Sequence, residues 1–312
     1  MSSYQSDKNI KSIYDFKHNS LKDTIESLDQ SFAIIGGDLR QIAMAESIAI
    51  DGYPVITSGL ENANLHSCVQ KSNLSDAVSQ SKYVILPLPV TKDGKTLNAP
   101  FSNSPIEINK DFLNLLKTKT VFCGMINSLL DIDSEYKSLN ITDYSKRNEF
   151  CIQNAIATAE GAVEIAMQSF DATINGSRCL VAGFGRIGKA LSSILKGLNA
   201  NVSICARKKE DIAWIEAMGF NPINTNCIHK YKDFDLIFNT IPYMIFNAHT
   251  LAKTAADSIV IDLASAPGGV DFEAAKRLDI TAIQALSLPG KVAPKSAGQI
   301  IKSTIYNIIE EG

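Results

Sequence analysis

Six residues, Gly183-Phe184-Gly185-Arg186-Ile187-Gly188, have the spacing of a turn that cradles a pyrophosphate. They directly follow the β-rich run Cys179–Ala182 and open a helical pattern from Ile187 to Leu198, the context in which this spacing carries meaning. Gly183 permits a tight turn, Gly185 lets the backbone approach phosphate, and Gly188 lets helix and strand pack closely. Arg186 and Ile187 begin the helix whose free N–H groups point at the anion. A second strand, Val202–Cys205, ends in Ala206-Arg207-Lys208 without an acid. Arg207 lies 19 residues after Gly188, near the usual spacing of about 20 for the residue that reads the ribose. A carboxylate there would select NAD, whereas an arginine can grip a 2′-phosphate bidentately, with Lys208 adding charge. NADP is the expected cofactor. Two further loops, Asn239-Thr240-Ile241-Pro242 and the one opening on Asp262-Leu263, fall where the sheet should meet the nicotinamide.

Other chemistries find little support. The four histidines (His18, His66, His229, His249) sit in no motif, and the six cysteines form no CxxC pair and lie partly inside apolar runs. No metal site or disulfide framework is expected. The net charge of −3 gives no basic surface for nucleic acid. The longest apolar stretches fall well short of the roughly 20 residues a bilayer requires. The first residues are too polar for a signal peptide, so the expected location is the cytoplasm.

These residues must be positioned by a particular scaffold. At 312 residues the chain is long enough for two domains. From about Ser31, β-rich runs alternate with amphipathic helical ones, which predicts an α/β fold of two Rossmann-like domains with parallel sheets and a cleft between them. A polar extension at residues 1–30 precedes a first α/β domain at 31–149. Residues 150–176 read as a connector helix, 177–290 as the cofactor domain, and 291–312 as a C-terminal helix returning to the first domain by analogy with two-domain dehydrogenases.

Several motifs in order resemble those of the family formed by the A subunits of dipicolinate synthase. They are Gly36-Gly37-Asp38-Leu39-Arg40-Gln41, Arg147 to Asn154 followed by Thr158-Ala159-Glu160-Gly161, the fingerprint, Ala206-Arg207, Asn239 to Pro242, Asp262 to Ser265 with Pro267 to Gly269, and Leu288 to Lys295. The resemblance runs from about Phe32 to Ile309. Ala157 and Ser287 stand where the family pattern has proline.

The resemblance implies oxidation of dihydrodipicolinate to the aromatic pyridine-2,6-dicarboxylate for sporulation, with NADP+ accepting the hydride and the B subunit of dipicolinate synthase as partner. A homodimer is compatible with it. A dianionic substrate calls for cations, which makes Arg40 with Gln41, then Arg147 and Lys295, the candidate substrate ligands, with Lys92 weaker. Glu160 is the candidate proton acceptor. Helical spacing sets it about 160° from Thr158, so the two share a ligand only if the helix breaks near position 157. Two rival readings stay open: an NADP-dependent oxidoreductase acting on another carboxylic or imino acid, and a sensor that binds NADP(H) without turnover.

Overall fold

Short runs of apolar residues in which both alternating faces are buried make parallel strands covered on two sides by helices. The computed structural model describes residues 30–312 and contains two such sheets; the expected extension at 1–30 lies, apart from residue 30, outside the described residues. In the first sheet, β1 (Phe32–Ile35), β2 (Val55–Ser58), β3 (Gln70–Lys71), β4 (Tyr83–Ile85), β5 (Thr120–Cys123) and β6 (Ile141–Asp143) lie in the order 3-2-1-4-5-6. In the second, β7 (Arg178–Ala182), β8 (Asn201–Ala206), β9 (Asn221–Asn224), β10 (Leu236–Asn239), β11 (Ile259–Asp262) and β12 (Thr281–Gln284) lie in the order 12-11-10-7-8-9. Counted from its own first strand, the second sheet repeats the order of the first, and every strand pair in both is parallel. This is the doubly wound arrangement, which puts a crevice where the chain leaves the central strands in opposite directions.

The alternation of side chains along β1 divides the first core. Phe32 and Ile34 pack against α1 (Leu39–Ile50) through Met44 and Ile48. Ala33 and Ile35 pack on the opposite face with α2 (Leu74–Ser79) and α3 (Lys110–Leu116). A short helix α4 (Asn127–Leu130) follows β5, and α5 (Asn148–Ser169) then leads into the second domain without a break. In that domain α6 (Arg186–Gly197) joins α5 on one face of the sheet, and α7 (Lys209–Ala217) follows β8. Two short helices, α8 (Ala248–Leu251) and α9 (Phe272–Arg277), cover the other face. Of these, α8 is a single turn.

After β12 the chain forms α10 (Leu288–Val292) and α11 (Pro294–Glu311). The last helix does return to the first domain: Ile300, Ile301, Ile305 and Tyr306 complete the core around Phe32, and a Cβ on Gly298 would press on the α1 backbone at Arg40 and Met44. Lys302 is 2% exposed, and its Nζ meets Asp51 Oδ2 at 2.7 Å, where the Tyr306 hydroxyl also donates. Replacing Asp51 by Ala strands this buried ammonium without an acceptor, so Asp51→Ala is expected to lower stability by about 2–3 kcal/mol. Adding Lys302→Met should recover much of that loss in urea unfolding; an unaltered midpoint for the single variant would show that the pair does not secure the helix.

Candidate functional site

The second sheet leaves its crevice open at the turn between β7 and α6. Gly183 takes φ +109°, its N–H donates to Cys205 O at 2.9 Å, and a Cβ on it would strike the Thr240 hydroxyl, which itself donates to Ala182 O at 2.8 Å. A Cβ on Gly188 would overlap the Gly183 carbonyl, so helix and strand can approach this closely only with glycine there. Gly185 has nothing within 4 Å of the position a Cβ would take. α6 starts at Gly185 with no side-chain cap and no acid in its first turn, which leaves its N–H groups free for an anion. The three glycines therefore fit a dinucleotide in three different physical senses. Arg186 is exposed, and its Nε and Nη2 donate to Asn148 Oδ1 at 3.1 and 2.7 Å, tying the turn to the first residue of α5. Ile187 is half-buried against the core beneath it.

The flanking loops divide into presented and buried groups. Thr240 is half-buried, Pro242 is exposed, and Arg207 and Lys208 are exposed at the end of β8. Lys208 Nζ lies 3.3 Å from Glu210 Oε1, while Arg207 makes no ion pair among the described residues. Asn239 and Asp262, expected to reach the cofactor, are corrected: they are 0% and 1% exposed and spend their side chains on each other. Asn239 Nδ2 donates to Asp262 Oδ1 at 2.8 Å, and Asp262 accepts the N–H groups of Ala264 and Gly269, each at 3.1 Å. Their work is to fix the two loops. The Leu263 side chain is buried in the core, which leaves only its backbone to serve the loop.

The equivalent turn of the first sheet is closed. Gly36 and Gly37 take positive φ as a phosphate turn would, but Gly37 N–H donates to Asn98 O at 2.8 Å, and a Cβ on Gly36 would press on Ala99 and Leu97. The helix end is also occupied. Asp38 Oδ1 accepts Arg40 N–H at 3.0 Å, and Gln41 Oε1 accepts Asp38 N–H at 3.1 Å, a capping box that puts a carboxylate where a phosphate would need N–H groups. Gln41, expected as a substrate ligand, is 0% exposed and serves as that cap. Arg40 sits at the edge facing the second domain, with Nε within 3.0 Å of a Cβ on Gly290. Its Nε and Nη2 bind Asp38 at 2.9 and 2.8 Å, Nη2 also donates to Leu88 O, and its side chain is 8% exposed.

Two other expected groups lie away from any shared ligand. Arg147 is corrected from substrate ligand to clamp: Nε binds Glu149 at 2.7 Å, and Nη1 and Nη2 bind the two oxygens of Glu311 at 2.7 Å each. Glu160 is corrected as proton acceptor because α5 does not break at Ala157. Thr158 and Gly161 face inward, Gly161 against Leu288 and Val292, whereas Glu160 is exposed on the outer face. Lys295, in the first turn of α11, and Lys92 are exposed. Asn148 and Asp38 are hydrogen-bond partners of Arg186 and Arg40 that residue type alone did not mark, although each lies within a motif. Burial pushes the Cys179 and Cys205 thiols up to about 11, and no cluster that could hold a metal exists among the described residues. No helix among them is long and apolar enough to cross a membrane.

Comparison with known proteins places these features in a lineage. Residues 31–145 match the family model for the N-terminal domain of the dipicolinate synthase A subunit, and residues 152–284 match that of the D-isomer specific 2-hydroxyacid dehydrogenase, NAD binding domain. The A subunit of dipicolinate synthase from Bacillus subtilis (strain 168) is 32% identical over 283 residues, covering 89% of this chain and 95% of the relative. The crystal structure of the corresponding A subunit from Bacillus halodurans superposes with a TM-score of 0.83 at 29% identity, covering 91% of this chain and 99% of that one. The crystal structure of the Bacillus subtilis protein gives 0.82 at 32% identity, covering 91% and 97%.

The glycines make distinct predictions. Gly185→Ala should fold with an unchanged melting temperature but bind a nicotinamide dinucleotide at least about tenfold more weakly, because only the ligand meets the new methyl. Gly188→Ala should lose stability as well as binding, since its methyl meets backbone. Calorimetric titration with thermal unfolding separates the two, and equal behaviour of both variants would contradict the assigned roles.

Proposed function

The chain belongs to the family of dipicolinate synthase A subunits, and on that premise we propose that it oxidises dihydrodipicolinate to pyridine-2,6-dicarboxylate with NADP+ as hydride acceptor. In a member of this family the observation that carries the reading is the uncapped, unobstructed start of α6 at Gly185. The bound cofactor supplies the hydride acceptor, and the ring also gives up a proton. The chain's own residues bind and orient. Gly185 and the first N–H groups of α6, with Arg186, hold the pyrophosphate; Thr240 and Pro242 line the loop beside it. Arg207 holds the 2′-phosphate, since it is exposed at the strand end that reads the ribose and has no acidic partner among the described residues to compete for it, and Lys208 adds charge there. Across the crevice Arg40 is a fixed cation whose Nη1 carries no bond to another described residue, and it orients one substrate carboxylate with Lys295 as a second, more mobile charge. Preorganisation of that kind suits a reaction driven by aromatisation, where positioning is the main demand. Family membership extends the proposal to a partner, the B subunit of the synthase, and to a role in sporulation.

Absorbance at the reduced-nicotinamide band tests the reading directly. Purified chain, NADP+ and freshly generated dihydrodipicolinate should yield NADPH and dipicolinate together, with the B subunit added if the chain alone is silent. Arg207→Ala should raise KM for NADP+ at least about tenfold and leave NAD+ nearly unchanged, while Arg40→Lys should raise KM for the dicarboxylate by a similar factor. Tight cofactor binding without turnover in either preparation would contradict the oxidoreductase reading for this substrate, and equal losses toward both cofactors would move the 2′-phosphate away from Arg207.

A further inference from the structure

Met125 is a large residue held in the left-handed region, at φ +64°, with its side chain 53% exposed. Asn199, Asp279 and Ser287 also take positive φ; the first two end helices and belong to the residue types that tolerate this conformation, and the third is a small residue at the start of α10. Met125 has no such excuse, and its surroundings fix it from both sides. Its N–H is received by Asp143 Oδ1 at 3.2 Å and Ser145 Oγ at 3.1 Å, and the next N–H, of Ile126, by Asp143 Oδ2 at 3.0 Å. Its carbonyl accepts the Ser128 hydroxyl at 2.7 Å and the Ser128 N–H at 3.1 Å. The Asp143 side chain that anchors this is only 5% exposed. Strain that is over-determined by buried partners, and that ends in an exposed apolar side chain, is found where a residue must be presented to a ligand.

The location agrees. Met125 follows β5 at the carboxyl edge of the first sheet, and Gly124 before it packs on Leu88, the residue whose carbonyl accepts Arg40 Nη2. Ser145, which holds the Met125 N–H, lies three residues before Asn148, the partner of Arg186 in the cofactor turn. Met125 is thus joined through the chain and these bonds to the proposed carboxylate anchor on one side, by way of Gly124 and Leu88, and to the segment that carries Asn148 on the other. Resting on the function proposed above, we infer that Met125 is a specificity-determining residue whose thioether side chain forms the apolar wall for the flat ring of the pyridine dicarboxylate, with Arg40 receiving a carboxylate. A polarizable, unbranched side chain suits the face or edge of a ring.

Calorimetric titration of pyridine-2,6-dicarboxylate into the NADP+-saturated chain tests this on the wild type and on Met125→Ala, Met125→Gly and Met125→Leu. Both truncations should raise Kd for the dicarboxylate at least about tenfold, and Met125→Leu should stay within about threefold of wild type. The Kd for NADP+ should be unchanged in all three. Met125→Gly should melt about 2 °C above Met125→Ala, because only glycine removes the backbone strain. A Kd for Met125→Ala within twofold of a wild type that does bind would overturn the assignment while leaving the proposed function standing. A wild type that binds no dicarboxylate would overturn that function, and this inference with it.

Discussion

Asp38 accepts the N–H of Arg40, the second residue of α1, whereas no side chain among the described residues caps α6, which begins after Gly185. The two sheets share one strand order, so each has a crevice at the same topological point. What a helix end offers to a phosphate depends on whether its N–H groups are already taken and on the charge beside them. In the first domain a capping box covers the helix start, its carboxylate is paired with Arg40, and the Leu97–Ala99 segment fills the space above the turn. In the second the helix N–H groups are free, and Arg186 adds a cation. One fold used twice thereby offers one open helix start, and on the proposed function the first domain is left to present Arg40 and Met125.

That division needs the two domains to be held as a unit, and the chain achieves it with elements distant in sequence. The chain leaves the second domain through α10, where Gly290 lies against the Arg40 side chain, and the final helix, with Gly298 against the backbone of Arg40, completes the core of the first. Its start and its end are both secured, by this close packing and by the Arg147–Glu311 clamp. The alanine-rich inner face of α5 packs against the second core, while Asn148 at its tip holds Arg186. Neither Arg147 nor Glu160 is therefore a chemical group of the site, although both lie in motifs that border it.

Much of this was legible in the residues. The fingerprint, the basic end of β8 and the alternation of strands and helices identified the domain that binds phosphate, because local sequence sets the turn and the helix start. Three edge strands carry no clear signal in the sequence for a physical reason: β3 has two exposed residues, β6 three half-buried ones, and β9 contains Pro222, which an edge strand tolerates. Edge strands need no apolar run. The site residues were harder, since residue type and spacing give a face but not what stands opposite it. Arg147 meets Glu311, 164 residues away, and Asn239 meets Asp262 in the interior. Asp38 and Gln41 had the spacing of a helix cap, a local signal that residue types suited to ligand binding masked.

On the proposed function, two sheets of identical topology provide a single dinucleotide site, decided by what occupies the helix N-terminus. Hydrogen–deuterium exchange of the full chain with and without saturating NADP+ tests it most directly. Slowed exchange of the amides from Gly183 to Lys189, with those from Gly36 to Ile42 unchanged, is the predicted result. Comparable protection of both turns would contradict the account.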